Sequence, residues 1–97
     1  MALKITKTYD VYELQGRLCS SQAHEVRNFF ISKLQNDGNL NISLCKLDDL
    51  DLSGAMMLER LKEEANKSGK MVQVFSGPNR KILGPFLMID QTVLTAA

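Results

Sequence analysis

The chain has no tryptophan, one histidine, two prolines and two cysteines in 97 residues, and each scarcity removes a class of protein. Two thiols, Cys19 and Cys45, cannot build a disulfide framework, and their spacing fits no metal-site pattern. Both are expected to be reduced, with Cys45, inside "NISLCKL", a small core or strand-end residue. His24 has no cysteine or serine at a suggestive spacing, so nucleophilic catalysis has no support. Charge of one sign is also missing. The net charge is +1 and the isoelectric point about 7.8, which gives no strong field for nucleic acid or an anionic membrane. The longest apolar runs, "FFI" and "GPFLMI", are too short to cross a bilayer. The start "MALKITKTYD" has no apolar signal-peptide core. The expectation is a cytoplasmic protein with no membrane insertion and no nucleic-acid partner. There is no internal repeat, linker or low-complexity stretch.

What remains is an ordinary globular composition, 44% hydrophobic and 24% charged, in a length that makes one domain, 1–97. "LKITKTYDVYELQGRL" carries two alternating runs, Leu3 and Ile5, then Tyr12 and Leu14, with Asp10 between them and Gly16 ending the second. This pattern predicts two strands joined by a tight turn. In "SSQAHEVRNFFISKLQNDG" the period changes. Ala23, Val26, Phe30 and Leu34 recur at helical spacing over 21–36, with Ser20 or Ser21 as the cap and Asn36-Asp37-Gly38 as the stop. "LNISLCKL" alternates Leu40, Ile42 and Leu44 as a buried strand. Gly54, Met57, Leu58, Leu61 and Ala65 form one apolar stripe of a helix over 54–68, on which Glu63 and Lys67 make an i,i+4 pair. "MVQVFSG" is another strand. "PNRKIL" starts a short helix that Gly84-Pro85 breaks or kinks. "QTVLTAA" is either a short last strand or a frayed end.

The order is thus β-β-α-β-α-β-α. Strands alternating with helices imply crossover units. The fold class is α/β, with a mixed, mainly parallel sheet of four or five strands and helices packed on one face.

The segment "LDDLDLSGAMMLERL" holds the candidate site. Ser53 is expected as the N-cap of the following helix, and it also offers a hydroxyl where a phosphate would meet a helix dipole. Asp48, Asp49 and Asp51 would repel such a phosphate. Asp51 is a second possible cap, and Asp48 and Asp49 read as solvated loop charges. No Asp-x-Asp-x-Asp-Gly loop accompanies them, so no metal is expected. Leu52 either stands exposed at the loop tip or turns inward. Met56 lies off the apolar stripe, beside Arg60 and Glu63, either covered by loops or offered to a partner. The methionines at 56, 57, 71 and 88 read chiefly as core filler. "GPNRK" is a turn with a cap; it lacks the frame of a phosphate-binding P-loop. A residue at Gly54 larger than glycine is expected to collide with the neighbouring strand or loop.

The order of elements and the block "NISLCKLDDLDLSGAMMLERLKEEANKSGKMVQVFSGPNRKIL" resemble the STAS domain, a family that includes bacterial anti-sigma factor antagonists. In that family a buried strand leads through a loop to Asp-Ser-Ser-Gly or Asp-Thr-Ala-Gly and then a helix. Asp51-Leu52-Ser53-Gly54 occupies that place here. The resemblance implies a non-enzymatic, partner-switching module of transcription regulation without a cofactor. Its partner would be an anti-sigma factor of the serine-kinase type; the alternative is an accessory role on the ATPase of an ABC-type lipid transporter. The implied partner surface is Asp48, Asp49, Asp51, Leu52, Ser53, Met56 and Arg60, with Ser53 the candidate phosphorylation site. The sequence departs from the family pattern at two places. Leu52 stands where phosphorylated antagonists carry their serine, and Ser43 stands where an aspartate often ends the preceding strand.

Overall fold

Alternating side chains at the start of the chain fold as a hairpin: β1 (Lys4–Thr8) and β2 (Val11–Leu18) pair antiparallel, from Lys4 opposite Gln15 to Thr8 opposite Val11. The computed structural model describes residues 3–89, 93 and 94. Along β2, β3 (Leu40–Ser43) pairs in parallel at Val11 to Glu13, and β4 (Leu47–Leu50) pairs in parallel further on, at Gly16 to Leu18. β5 (Val72–Phe75) lies parallel to β3. The result is a five-stranded, mainly parallel sheet.

Five is the larger of the two strand numbers expected, and the fifth strand is β4, which the sequence pattern does not mark. Residues 48–50 were expected in a loop, yet they lie in β4. Leu47 and Leu50 are buried there while Asp48 and Asp49 are exposed. That pattern has no period of two, and aspartate is depleted in strands, so the segment carries no local strand signal. Pairing to β2 makes it a strand. Gly16, at φ +98°, marks the register shift that turns β2 from β3 toward β4. It does not end the strand, which runs on to Leu18.

Tyr12, Leu14, Ile42, Val72 and Val74 are buried, whereas Glu13, Gln15, Asn41 and Gln73 between them are half-exposed. One face of the sheet is therefore covered and the other wet. The cover is α1 (Ser20–Asp37) and α2 (Leu52–Lys67). α1 buries Val26, Phe30 and Leu34, with Phe30 edge-on to Tyr12 at 5.5 Å between ring centroids. α2 buries the expected stripe and also Ala55. Glu63 and Lys67 form no ion pair among the described residues; Glu64 instead pairs with Arg27 and ties the two helices together.

Three local expectations are corrected. α1 begins at Ser20 behind Cys19, whose N–H donates to the Gln22 side chain at 3.0 Å, so neither serine is its cap. α3 (Leu83–Met88) begins where Gly84-Pro85 was expected to break a helix. Pro85 stands at the third helical position, where an N–H would have no intrahelical partner, so the proline costs nothing. Of the two alternatives for Cys45, core or strand end, the structure selects the second, with the residue exposed just past β3. Met71 and Met88 are also exposed, leaving Met57 as the buried methionine of the four. A last strand within 91–97 lies outside the described residues, except for Val93 and Leu94. Val93 is buried, and its carbonyl accepts a hydrogen bond from Lys62 at 2.9 Å.

The two main helices start beside each other at the end of β2, and one side chain serves both. Asp51 Oδ1 accepts the Gly54 N–H at 2.9 Å, the capping bond of α2, and Oδ2 accepts the Ser20 N–H of α1 at 3.0 Å. The Asp51 N–H itself donates to the Leu18 carbonyl at 3.2 Å. Gly54 is pressed into the same corner. A Cβ there would lie 2.7 Å from Leu50 Cδ1 and 2.8 Å from the Leu18 carbonyl oxygen. The expected collision is therefore with both strands that hold the helix start.

Gly54→Val is predicted to destabilise the fold by about 1–3 kcal/mol or more, because the Leu18 carbonyl cannot yield as a flexible side chain does. Urea titration with no shift in midpoint would show the corner to be open. Asp51→Ala is predicted to cost about 2–3 kcal/mol, since it removes a cap and a second charge-assisted bond. Asp51→Asn should cost about half as much, because its amide retains one acceptor oxygen for two N–H groups. Equal losses for the two variants would show that the retained oxygen contributes nothing and that the negative charge is what matters.

Candidate functional site

β4 and the first two turns of α2 put the residues singled out in the sequence on a continuous stretch of chain, but in three different roles. Asp48 and Asp49 project from β4 into solvent and are each paired: Asp49 with Arg17 at 3.2 Å, Asp48 with Lys81 at 3.7 Å. Both pairs are well exposed and add little stability. Their effect is to neutralise the acidic look of the segment. Asp51 faces inward along the backbone and spends both oxygens on the helix starts.

Leu52 and Ser53 are the exposed pair. Leu52 is 40% exposed although apolar. Of the two alternatives for this residue, the structure selects the outward one. Ser53 is the second residue of α2 and is exposed. Its hydroxyl has no partner among the described residues, because the N-cap is Asp51. The expected capping role for Ser53 is thereby corrected. The shift is two residues, and its cause is non-local: Asp51 is held against Leu18 by pairing of β4 to β2.

Met56 and Arg60 lie one and two turns further on. Met56 is half-buried, and what borders it is α1 rather than a loop. Ala23, His24 and Arg27 of α1 face Ser53, Met56, Met57 and Arg60 of α2 across an open groove of about 250 Å³. Met56, Met57 and Ala23 supply apolar surface; His24, Arg27 and Arg60 supply polar and cationic groups. Among the described residues no carboxylate lines the groove. Arg27 is engaged by Glu64, and His24 Nε2 lies 3.2 Å from the Asn28 amide nitrogen. Arg60 makes no ion pair among the described residues.

Sequence reasoning missed the α1 side of this groove. His24 and Arg27 are 29 and 26 positions from Ser53, and only helix packing brings them together. The one local signal is their i,i+3 spacing beside the Ala23–Val26 stripe, which puts both on the flank of the buried face.

A second cationic cluster, Lys46, Arg80 and Lys81, surrounds the turns after β3 and β5. Asn79 pins those turns by donating to the Leu44 and Leu47 carbonyls, each at 2.8 Å. Lys46 pairs with Glu13 and Lys81 with Asp48, so the cluster is largely compensated. Among the described residues no group of three His, Cys, Asp or Glu side chains is placed to hold a metal. No helix among them is long and apolar enough to cross a membrane.

The chain is similar in structure to a protein designated Mglu, at 19% identity and a TM-score of 0.61, over 79% of this chain and 20% of that one. It thus spans about a fifth of that protein's length. It is similar to the anti-sigma factor antagonist SpoIIAA in its unphosphorylated form, at 14% identity and a TM-score of 0.70, over 90% of this chain and 79% of the other. A third likeness, at 21% identity and a TM-score of 0.52 over 80% and 67% of the two chains, is to an uncharacterized DUF3478-family protein with a SpoIIAA-like fold from Shewanella loihica. At these identities the likeness is one of fold. Searching proteins of curated function yields no match. The STAS domain profile matches residues 1–83, which span all five strands and both long helices, and the chain belongs to the STAS domain family.

Proposed function

We propose that this chain is a non-enzymatic regulatory module that works by docking on another protein, an anti-sigma factor of the serine-kinase type. The contact surface is the outer side of β4 and the start of α2: Asp48, Asp49, Leu52, Ser53, Met56 and Arg60. Asp51, expected among the contacts, serves instead by holding that surface in place. The observation that carries the reading is the exposed Leu52–Ser53 pair on a helix start that is clamped from behind. An apolar side chain offered on rigid backbone loses little entropy when it is buried by a partner. Membership of the STAS family and the fold shared with an anti-sigma factor antagonist support the choice of partner. No reaction on this chain is required.

Ser53 is the candidate phosphorylation site. A phosphate there would stand in the first turn of α2, where the helix dipole favours it, and at the rim of a groove that holds two arginines. The repulsion expected from the aspartates is offset, because Asp48 and Asp49 are paired with cations and Asp51 with backbone N–H groups. A second reading is an accessory subunit on the ATPase of an ABC-type lipid transporter in the cytoplasm. It is favoured by Leu52, which offers apolar contact but no hydroxyl at the position where phosphorylated antagonists carry one.

Affinity purification from the source cell separates the two partners: a kinase-like protein in the first case, a transport ATPase in the second. The surface itself is tested by Ser53→Asp. Ser53 is not the cap, so this variant should keep its stability within about 0.5 kcal/mol. Its binding to the purified partner should weaken by about 2–5 kcal/mol, the cost of an unpaired charge at a desolvated contact. Wild-type affinity in a calorimetric titration of Ser53→Asp would remove this surface from the interface.

A further inference from the structure

We infer that the groove between α1 and α2 receives an acidic segment of the protein partner, with Arg60 pairing to its carboxylate. The inference rests on the docking reading above and adds the α1 side of the surface and the chemistry of what it takes. Charge complementarity is the argument. Every acidic residue that brackets α2's start is already compensated: Asp48 by Lys81, Asp49 by Arg17, and Asp51 by two backbone N–H groups. Arg27 is compensated by Glu64. Arg60 alone, of the two arginines in the groove, has no ion pair among the described residues, and neither Glu59 nor Glu63 lines the groove beside it. Among the described residues the groove therefore carries one positive charge without an ion pair, set over apolar surface from Met56, Met57 and Ala23.

That combination selects a ligand with a carboxylate next to an apolar side chain. A guanidinium binds a carboxylate through parallel N–H groups in a fixed plane, and the thioether side chain of Met56 adapts to whatever aliphatic group lies beside it. A basic segment would meet Arg60 and Arg27 as like charges. The groove, about 250 Å³ and open to solvent, suits an extended or helical peptide edge better than an enclosed small molecule.

The test is an amide chemical-shift titration of the full chain with a synthetic peptide of alternating glutamate and leucine. The same peptide with lysine in place of glutamate is the control. Saturable shifts confined to residues 23–28 and 53–60 are expected with the glutamate peptide and none with the lysine peptide. Affinity should fall about tenfold or more in Arg60→Glu and remain unchanged in Lys81→Glu, which alters the other cationic cluster. The amide spectrum of each variant also reports whether it is folded, and Arg60→Gln gives a second, milder loss of charge. Equal binding of both peptides, shifts centred on Lys46, Arg80 and Lys81, unchanged affinity in Arg60→Glu, or no saturable shift would each overturn the inference. A partner that binds wild type and is lost on Ser53→Asp, with the peptide silent, would overturn the groove and leave the docking reading standing. A bound glutamate peptide with the partner unaffected by Ser53→Asp would do the reverse.

Discussion

The carboxylate of Asp51 is the contact on which the rest of this structure turns. Two helices of 18 and 16 residues begin within reach of one side chain, and each would otherwise present unpaired N–H groups in a partly buried corner. A single negative charge satisfies one N–H from each helix and sits at the positive end of both dipoles. The same residue's backbone is tied to Leu18, so the helices are fixed to the end of β2 as well as to each other. Gly54 makes the arrangement possible, since no larger residue fits between Leu18 and Leu50. Sheet pairing, helix capping and close packing meet at one corner, and the exposed residues beyond it inherit their positions from that corner.

Much of this was legible in the sequence, and the parts that were not share a cause. The α2 stripe from Gly54 to Ala65 and the α1 stripe from Val26 to Leu34 declare their buried faces by period alone. The alternation of Tyr12 with Leu14 and of Leu40 with Ile42 does the same for the sheet. β4 was not legible, because Leu-Asp-Asp-Leu has neither strand period nor strand propensity and becomes a strand only by pairing with β2. The cap was misplaced onto Ser53 for the same reason: the choice between two capping residues two positions apart is made by Leu18, more than thirty positions away. Pro85 was read as a breaker because its place in the first turn of α3 depends on where the preceding turn stops. In the candidate site, the α2 residues were visible as a cluster and the α1 residues were not, since packing between distant segments leaves no local trace.

Charge is distributed so that the surface near α2 differs from its sequence. Three aspartates in four positions suggest an acidic patch. In space the exposed two are matched by Arg17 and Lys81, drawn from β2 and from the turn after β5, and the third is consumed internally. Among the described residues that line the groove between α1 and α2, the charge left without an ion pair is that of Arg60. A reading of the segment by its composition alone therefore assigns the wrong sign to the face it forms. The isoelectric point conveys nothing of this, because the compensation is local.

Placing the cap on Asp51 has a consequence for how such a surface can diversify. Leu52 and Ser53 hold helical positions in α2, yet neither side chain is needed to start the helix or to fill the core. Substitutions at these two places are released from the stability constraints that govern Asp51 and Gly54 on either side. On the proposed docking surface, two adjacent codons therefore alter the contact side chains with the scaffold's folding left intact. A rigid frame around a mutationally free pair separates what the fold needs from what the surface displays.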